Sequence, residues 1–414
     1  MSDGQTHREV AQMTKTTSND DHIWTLLEPY SRWGAGPDLE RAARLMGPEM
    51  RQLASGVVIT GSNGKGTVTY LTAELLRRDG LRVGRYVSPH LWSITERVSI
   101  DGTSVSRAEL AHALQRVLDE SDPSDLQAAS QFELLTAAAV RLFHSHAVDT
   151  VVWEAGLGGR FDPTRLVPKH AAALTSVALE HTTILGSTPI EIALEKSAIA
   201  NTYGTTHSVP LVVGPLAPEV IKRLSEQQPL IYPADISVKT ALGGAHQIDN
   251  ARIAASLATL VSNHKRTHVD VSELVIPCRT ECVRPRSLDT PAVWVDVAHH
   301  QSAIRALVPW LSSLPKPLSI IFGSSQDRDP GGMIAYLPSD ATVIVSEAPY
   351  KPARVEDIIT PRTVVPCPQL NEALDYARAI TSPHGTIVVL GGLYLAAAAA
   401  ALLRGQRVDA MRWR

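Results

Sequence analysis

The chain has 414 residues, 44% of them hydrophobic and 20% charged, and a formal net charge of −3. This length exceeds the usual limit for one core and predicts two domains, while the composition is that of an ordinary soluble globular protein. The small negative charge gives no reason to propose a nucleic-acid partner, and three cysteines are too few for a disulfide framework, which suggests a reducing compartment. Cys278 and Cys282 alone do not make a zinc site and read as buried or linker thiols.

Residues 1–21 are polar without an apolar core, so they read as a disordered tail and not as a signal peptide or anchor. Helical spacing of apolar residues follows over 22–30 and 39–46, with Trp33-Gly34-Ala35-Gly36-Pro37 between them. A β-branched strand over 57–60 then breaks into Gly61-Ser62-Asn63-Gly64-Lys65-Gly66-Thr67, and a helix over 68–78 follows at once. Gly61, Gly64 and Gly66 allow successive N–H groups to face one concavity at a helix N-terminus, where the macrodipole favours an anion. Lys65 adds a mobile positive charge and Thr67 a hydroxyl suited to Mg²⁺, so the loop reads as a triphosphate cradle. It departs from the G-x-x-x-x-G-K-[ST] string because Gly66 stands between lysine and hydroxyl; an ordinary glycine turn is the alternative.

A second strand, 82–87, ends at Ser88-Pro89-His90, on the side where ligands gather in open α/β sheets. Residues 96–102 form a short strand into a tight turn, and amphipathic helices cover 107–120 and 132–144. The apolar strand 149–154 ends in Glu154, a carboxylate that needs a partner or a metal if buried and is otherwise a solvated strand end. A strand over 171–179 leads to Glu180-His181-Thr182, a helix over 189–200 carries Glu195-Lys196, and strand 211–214 with helices 218–227 and 248–261 completes an alternating first domain. After a polar break at 262–270 we expect the domain boundary near Ser272. Strands 293–297, 318–322, 342–346, 363–366 and 386–390 then alternate with helices 302–314, 371–380 and 393–403 in a smaller Rossmann-like unit. The apolar run 387–403, about 17 residues and so near spanning length, is divided by Gly391-Gly392 into a strand and an alanine-rich helix. The expected architecture is α/β: a tail (1–21), a P-loop-type ATPase domain with a mainly parallel sheet (22–272) and a Rossmann-like domain (273–414).

Taken together, several strings resemble the folylpolyglutamate synthase and dihydrofolate synthase family of the Mur ligase superfamily. They are Thr60 to Thr67, Ser88-Pro89-His90-Leu91, Glu96-Arg97-Val98, Glu154-Ala155-Gly156-Leu157-Gly158-Gly159-Arg160 with Asp162, His181-Thr182 with Ile184-Leu185-Gly186, Glu195-Lys196, Asp296 with Ala298-His299, and Phe322-Gly323 with Asp327-Arg328-Asp329. The resemblance implies an ATP-dependent amide ligase that turns a carboxylate into an acyl phosphate and hands it to an amino-acid amine, most simply glutamate onto dihydropteroate or a folate. It further implies that Gly61, Ser62, Asn63, Gly64, Lys65, Gly66 and Thr67 cradle the phosphates, with Lys65 on the transferred group. Thr67 and Glu154 hold one Mg²⁺, Ser88 and His181 are available to metal, and two ions are expected. Lys196 matches a lysine carried as a carbamate, although a helix lysine read by itself is a solvated charge. Asn250, Arg279 and Asp296 match nucleotide contacts, and His299 matches a histidine near the reacting end, with a buried structural role as its alternative. Lys65, His181, Lys196 and His299 are thus the expected catalytic set, in a cytoplasmic monomer that needs neither nucleic acid nor membrane.

Some positions depart from the family pattern. Val297 and His300 replace Gly and Asn in the usual Asp-Gly-Ala-His-Asn, Arg165 replaces Asn, Glu180 replaces Asp, Cys278 replaces Gly, and Gly392 replaces Ser. The changes cluster in segments that shape nucleotide and amino-acid binding, so a ligase acting on a non-folate acid or another amine is the alternative, and a non-catalytic nucleotide-binding protein is a further one. Trp33, Trp92 and Phe132 are candidates to stack on a pterin or to fill the core.

Overall fold

The computed structural model describes residues 19–31 and 33–406. The expected tail therefore lies outside the described residues up to residue 18, while 19–21 open the first helix, Asn19–Leu27. Strands β1 (Gly56–Thr60), β2 (Val83–Tyr86), β3 (Val98–Ile100), β4 (Thr103–Ser104), β5 (Thr150–Glu154), β6 (Lys169–Leu174), β7 (Leu211–Val213) and β8 (Leu230–Ile231) form one sheet in the order β4-β3-β2-β5-β1-β6-β7-β8. Only the β2-β3-β4 edge is antiparallel; every other pairing is parallel.

The fully buried run of β1 explains its central place. Val57 and Ile59 pack with Leu71, Leu76, Ala251 and Ile253 of helices Lys65–Arg78 and His246–Ser262. Val58, on the opposite face, joins the cluster of Leu110, Leu114, Leu134 and Val140 from helices Arg107–Glu120 and Gln131–Ser145. A strand covered on both faces reads as a continuous apolar run, as this one does.

Strands β9 (Ser237–Thr240) and β10 (His268–Val271) make a small parallel pair. Then β11 (Glu281–Arg284), β12 (Ala292–Val295), β13 (Leu318–Phe322), β14 (Thr342–Val345), β15 (Val365–Pro366) and β16 (Thr386–Leu390) form a second sheet in the order β11-β12-β16-β13-β14-β15. The two large sheets are thus separated in sequence by residues 232–280, which hold β9, helix His246–Ser262 and β10. The fold is α/β as expected, with a large, mostly parallel sheet and a smaller C-terminal one. The alanine-rich helix Leu393–Leu403 buries Ala396 to Ala401 against this second sheet. Among the described residues no helix is long and apolar enough to cross a membrane.

Several expectations are corrected. The strand expected over 171–179 stops at Leu174, because Thr175 and Ser176 turn to bond the phosphate-type loop. The polar stretch 262–270 contributes its end to β10, and the polar gap before Ser130 holds the short helix Pro123–Ala128. The helix expected from 68 begins at Lys65, so the lysine and Thr67 belong to its first turn.

Candidate active site

The loop after β1 is held from beneath by the segment after β6. Ser62 N donates to Ser176 O at 2.9 Å, Asn63 N to Ser176 Oγ at 2.9 Å and Ala178 N to Ser62 Oγ at 2.9 Å, while the Thr175 hydroxyl donates to Asn63 O. Gly64 has φ +84°, and a Cβ there would lie 2.5 Å from Asn250 Oδ1, so the loop tip needs a residue without a side chain. Asn250 is fixed in turn by donating to Gln247 Oε1 at 2.9 Å. Lys65 folds back to donate to Gly61 O at 2.9 Å.

Glu154 ends β5, beside β1, and is 5% exposed. Burial raises its carboxyl above the usual carboxylate range, against the pull of Lys65, the Ser88 N–H at 3.2 Å, Arg279 and Arg97. A Cβ on Gly66 would stand 3.7 and 3.8 Å from its two oxygens and 3.4 Å from Arg279 Nη2. Arg279, which comes from the C-terminal half, therefore reaches across to the loop. It sits in a turn with left-handed φ at Cys278 (52°) and Thr280 (40°). Asp296 clamps that turn by accepting from Thr280 N and Ala298 N, each at 2.8 Å. The clamp offsets a left-handed backbone that costs roughly 1–2 kcal/mol per residue.

Lys196 is not a solvated helix charge. It is 2% exposed on its side chain, lies 3.0 Å from Glu180 Oε1 and donates to Gly61 O at 3.2 Å. Burial, reinforced by Lys65, pushes its ammonium down to about 8 despite Glu180. Burial works against the charge of Glu180, yet Lys196, Lys65 and Ser62 together hold it below the usual range. Burial lowers the His181 imidazole below its ordinary value, with Arg328, Lys196 and Lys65 adding to it against Glu180. His299 is half-buried, with Nδ1 3.0 Å from Val297 O; burial, His300 and Arg328 push it down to about 3.

One cavity of about 1050 Å³ is lined by Ser62, Asn63, Gly64, Lys65, Gly66, Thr67, Ser88, Glu154, His181, Asn250, Arg279, Asp296 and His299. That is large for one ligand, the usual range being about 300–1,000 Å³. Gly61 and Lys196 lie behind it: Lys196 lines a cavity of about 40 Å³ together with Lys65, Glu180 and His181. The same large cavity is also lined by the apolar side chains of Trp24, Trp33, Phe132, Phe161, Ile184 and Leu185. Trp33, Phe161 and Ile184 are 58%, 52% and 61% exposed, an unusual loss of apolar burial unless something flat and apolar lies there. Trp92 is not among them. Its Nε1 donates to Ala397 O at 2.9 Å and the Arg404 guanidinium lies 4.9 Å above its ring, so it joins the two halves of the molecule. Arg97, Glu180 and Phe161 are wall residues to which sequence reasoning gave no role. Arg97 and Glu180 stood inside or beside matched strings; Phe161 had no such signal beyond its place next to Asp162.

A model of the Mur ligase glutamate ligase domain matches residues 278–393. The dihydrofolate synthase/folylpolyglutamate synthase of Escherichia coli strain K12 is 31% identical over 306 residues, which cover 68% of this chain and 70% of that protein. The chain belongs to the folylpolyglutamate and dihydrofolate synthase family. A probable bifunctional folylpolyglutamate synthase/dihydropteroate synthase of Haloferax volcanii is 30% identical across 89% of this chain but only 48% of its own length, so the chain spans about half of that relative. In structure, the folylpolyglutamate synthase of Mycobacterium tuberculosis, complexed with ADP, superposes with a TM-score of 0.79 over 93% of this chain and 98% of its own, at 24% identity, which establishes a common fold.

Proposed function

We propose that the chain is an ATP-dependent ligase that activates a carboxylate as its acyl phosphate and joins it to the amine of an amino acid, glutamate onto dihydropteroate or a folate. The observation that carries this reading is a cavity lined by the Lys65 loop, Glu154 and His181 of the first lobe, by Arg279, Asp296 and His299 of the second, and by a set of aromatic and aliphatic side chains. A substrate carboxylate oxygen would attack the γ-phosphorus as ADP leaves; the amine nitrogen would then attack the acyl carbon as inorganic phosphate leaves. Such transfers depend on positioning and charge neutralisation more than on covalent help.

In this reading Gly61 to Thr67 hold the phosphates, Lys65 leaves Gly61 O for the transferred group, and Asn250, Arg279 and Asp296 serve the nucleotide end. The donor set suits Mg²⁺. Among the described residues no three His, Cys, Asp or Glu side chains close on one point. Glu154 is instead a single buried carboxylate beside the Thr67 turn, and Mg²⁺ takes one or two carboxylates and leaves its remaining positions to water and phosphate. Thr67 and Glu154 would hold it, with Ser88 and His181 near, and it would supply neutralisation of charge on the phosphates. Carbamylation of Lys196 is supported by its depressed basicity, which raises the fraction of neutral, reactive amine above that of an ordinary lysine, and by the adjoining cavity of about 40 Å³; intact mass, with and without bicarbonate, tests it. The aromatic and aliphatic side chains of the large cavity would take the ring system of the acid. We take the protein to act as a monomer in the cytoplasm, which light scattering and cell fractionation test.

The deciding experiment incubates the protein with ATP, Mg²⁺ and glutamate against dihydropteroate, tetrahydrofolate and a panel of other carboxylic acids, with product mass as readout. Turnover confined to a non-folate acid would move the reading to another substrate, and ATP consumption with none of them would overturn it.

A further inference from the structure

We propose that His300, from the second lobe, is a further substrate-contacting residue: its Nε2–H is a neutral donor to the terminal phosphoryl group held by the Lys65 loop. The identity of that ligand rests on the ligase reading above; the placement of the donor does not.

His300 occupies the N-cap position of helix Gln301–Ser313, yet its side chain makes no capping bond. Its Nδ1 lies 2.9 Å from Ser302 Oγ, and Ser302 Oγ accepts from Asn63 Nδ2 of the phosphate-type loop at 3.4 Å. The Ser302 hydroxyl, which accepts from Asn63, still has its own proton to give; we assign that proton to Nδ1, and the imidazole proton is then on Nε2. That Nε2 is buried and makes no hydrogen bond. The charges that act on the ring from across the lobe gap are Glu180, Lys65 and His181, with Arg328 from its own lobe; burial pushes the imidazole down to about 4, so it remains uncharged. The ring stands edge-on to His299, centroids 5.0 Å apart at 81°; His299 and Ser302 line the cavity, and His300 lies between them in the chain, just behind that wall.

A buried N–H without an acceptor is costly, and the first-lobe groups whose charges act on this ring are Lys65, Glu180 and His181. One oxygen of Glu180 is engaged, 3.0 Å from Lys196. A phosphoryl oxygen on the Lys65 loop would supply the acceptor, and a Glu180→Gln background separates it from the other Glu180 oxygen. The donor and the loop come from different lobes and are tied through Asn63 and Ser302, so the contact would report that the lobes are closed on the triphosphate.

The test compares ADP with the non-hydrolysable triphosphate AMP-PNP, both with Mg²⁺, by calorimetry on the full chain and on His300→Gln, His300→Asn and His300→Phe. The Gln amide reaches towards the Nε2 position. The Asn amide does not, but it is a good helix cap, so His300→Asn should melt no lower than the unaltered protein and controls for folding. ADP affinity should stay within about twofold in all of them, while the preference for AMP-PNP over ADP falls by about tenfold in the Asn and Phe variants and is kept in Gln; one hydrogen bond to a charged group is of that order. Where the ligase reaction is measurable, kcat should fall about 10–100-fold in the same two variants with KM for the acid unchanged. Equal losses for both nucleotides, or an Asn variant that binds AMP-PNP like the parent, would overturn the proposal. So would a Glu180→Gln background in which His300→Phe has no further effect, because His300 would then be a latch onto Glu180. If the nucleotide preference behaves as stated but no acid and amine give product, the ligase reading fails and the phosphate contact stands; product formation indifferent to His300 gives the reverse.

Discussion

Replacing Gly66 by alanine separates what the loop needs in order to fold from what it needs in order to work. Gly66 lies in the first turn of helix Lys65–Arg78, and its φ is outside the left-handed region. A Cβ there would meet Arg279 Nη2 at 3.4 Å and the Glu154 oxygens at 3.7 and 3.8 Å, which are ordinary contacts. The backbone thus accepts alanine, and the gain from restricting the unfolded chain and improving helix propensity is about 0.5–1 kcal/mol. For a lobe of this size that is a rise of roughly 1–3 °C in Tm. The new methyl group would, however, stand between the loop, Glu154 and Arg279, on ground that a phosphate and its magnesium need. A displacement of about 1 Å at a reacting centre costs up to ~10²-fold in rate, so kcat/KM for ATP should fall by about that factor while the protein melts higher. Thermal melts beside a coupled ADP-release assay read both quantities. Full turnover in Gly66→Ala would refute the placement of the phosphates, and a lower Tm would refute the account of the backbone. Gly64→Ala is the contrast: with φ +84° and Asn250 Oδ1 2.5 Å from its Cβ, it should lose stability and activity together.

Lys65→Ala removes a charge that acts on Glu154, Glu180 and Lys196 and a bond to the Gly61 carbonyl, and should lower kcat by about 10²–10³-fold in the same ADP-release assay. Glu154→Gln should abolish magnesium-dependent turnover yet raise the stability of the nucleotide-free protein, because burial already opposes the charge of Glu154. The sign follows from linkage: with the folded carboxyl raised above its unfolded value, its contribution to stability falls as pH rises through and above the ordinary carboxylate range. Melts of the Gln variant should lack that decline. Trp92→Ala removes the Ala397 hydrogen bond and the Arg404 stacking and should cost about 2 kcal/mol, half the usual price of a fully buried tryptophan, with the two lobes melting apart in calorimetry.

What was legible in the sequence was local. The β1 strand, its glycine loop and the following helix announce themselves because burial on both faces and the demands of a phosphate-type turn are written in adjacent residues. Helices Leu39–Met46, Arg107–Glu120 and Leu393–Leu403, and strand Leu318–Phe322, have their expected bounds for the same reason. What was not legible depends on a partner far along the chain. Strands β9 and β10 are half polar and exist by pairing Ser237 to Thr240 with His268 to Val271. The burial of Lys196 is invisible without Glu180 and the Gly61 carbonyl, and Trp92 has the composition of a stacking residue but the surroundings of an interlobe anchor.

That anchor bears on how the site is assembled. The loop that carries Trp92 begins at Ser88, whose N–H donates to Glu154, and it is stiffened by Glu96, whose carboxylate accepts from Leu91, Trp92 and Ser93 N at 2.8, 2.8 and 2.6 Å. Leu91 and Trp92 are seated in the core of the second lobe, among Val293, Val295 and the alanine-rich helix. One short, internally bonded loop therefore has its root on Glu154 and its tip in the opposite lobe. Arg279 makes the reverse crossing, from the second lobe to Gly66 and Glu154. Two independent segments thus approach one buried carboxylate, one bonded to it through Ser88 N and the other acting on it through the charge of Arg279. A change in how the lobes dock cannot leave Glu154 undisturbed, and lobe closure can therefore be coupled to chemistry without a separate lid.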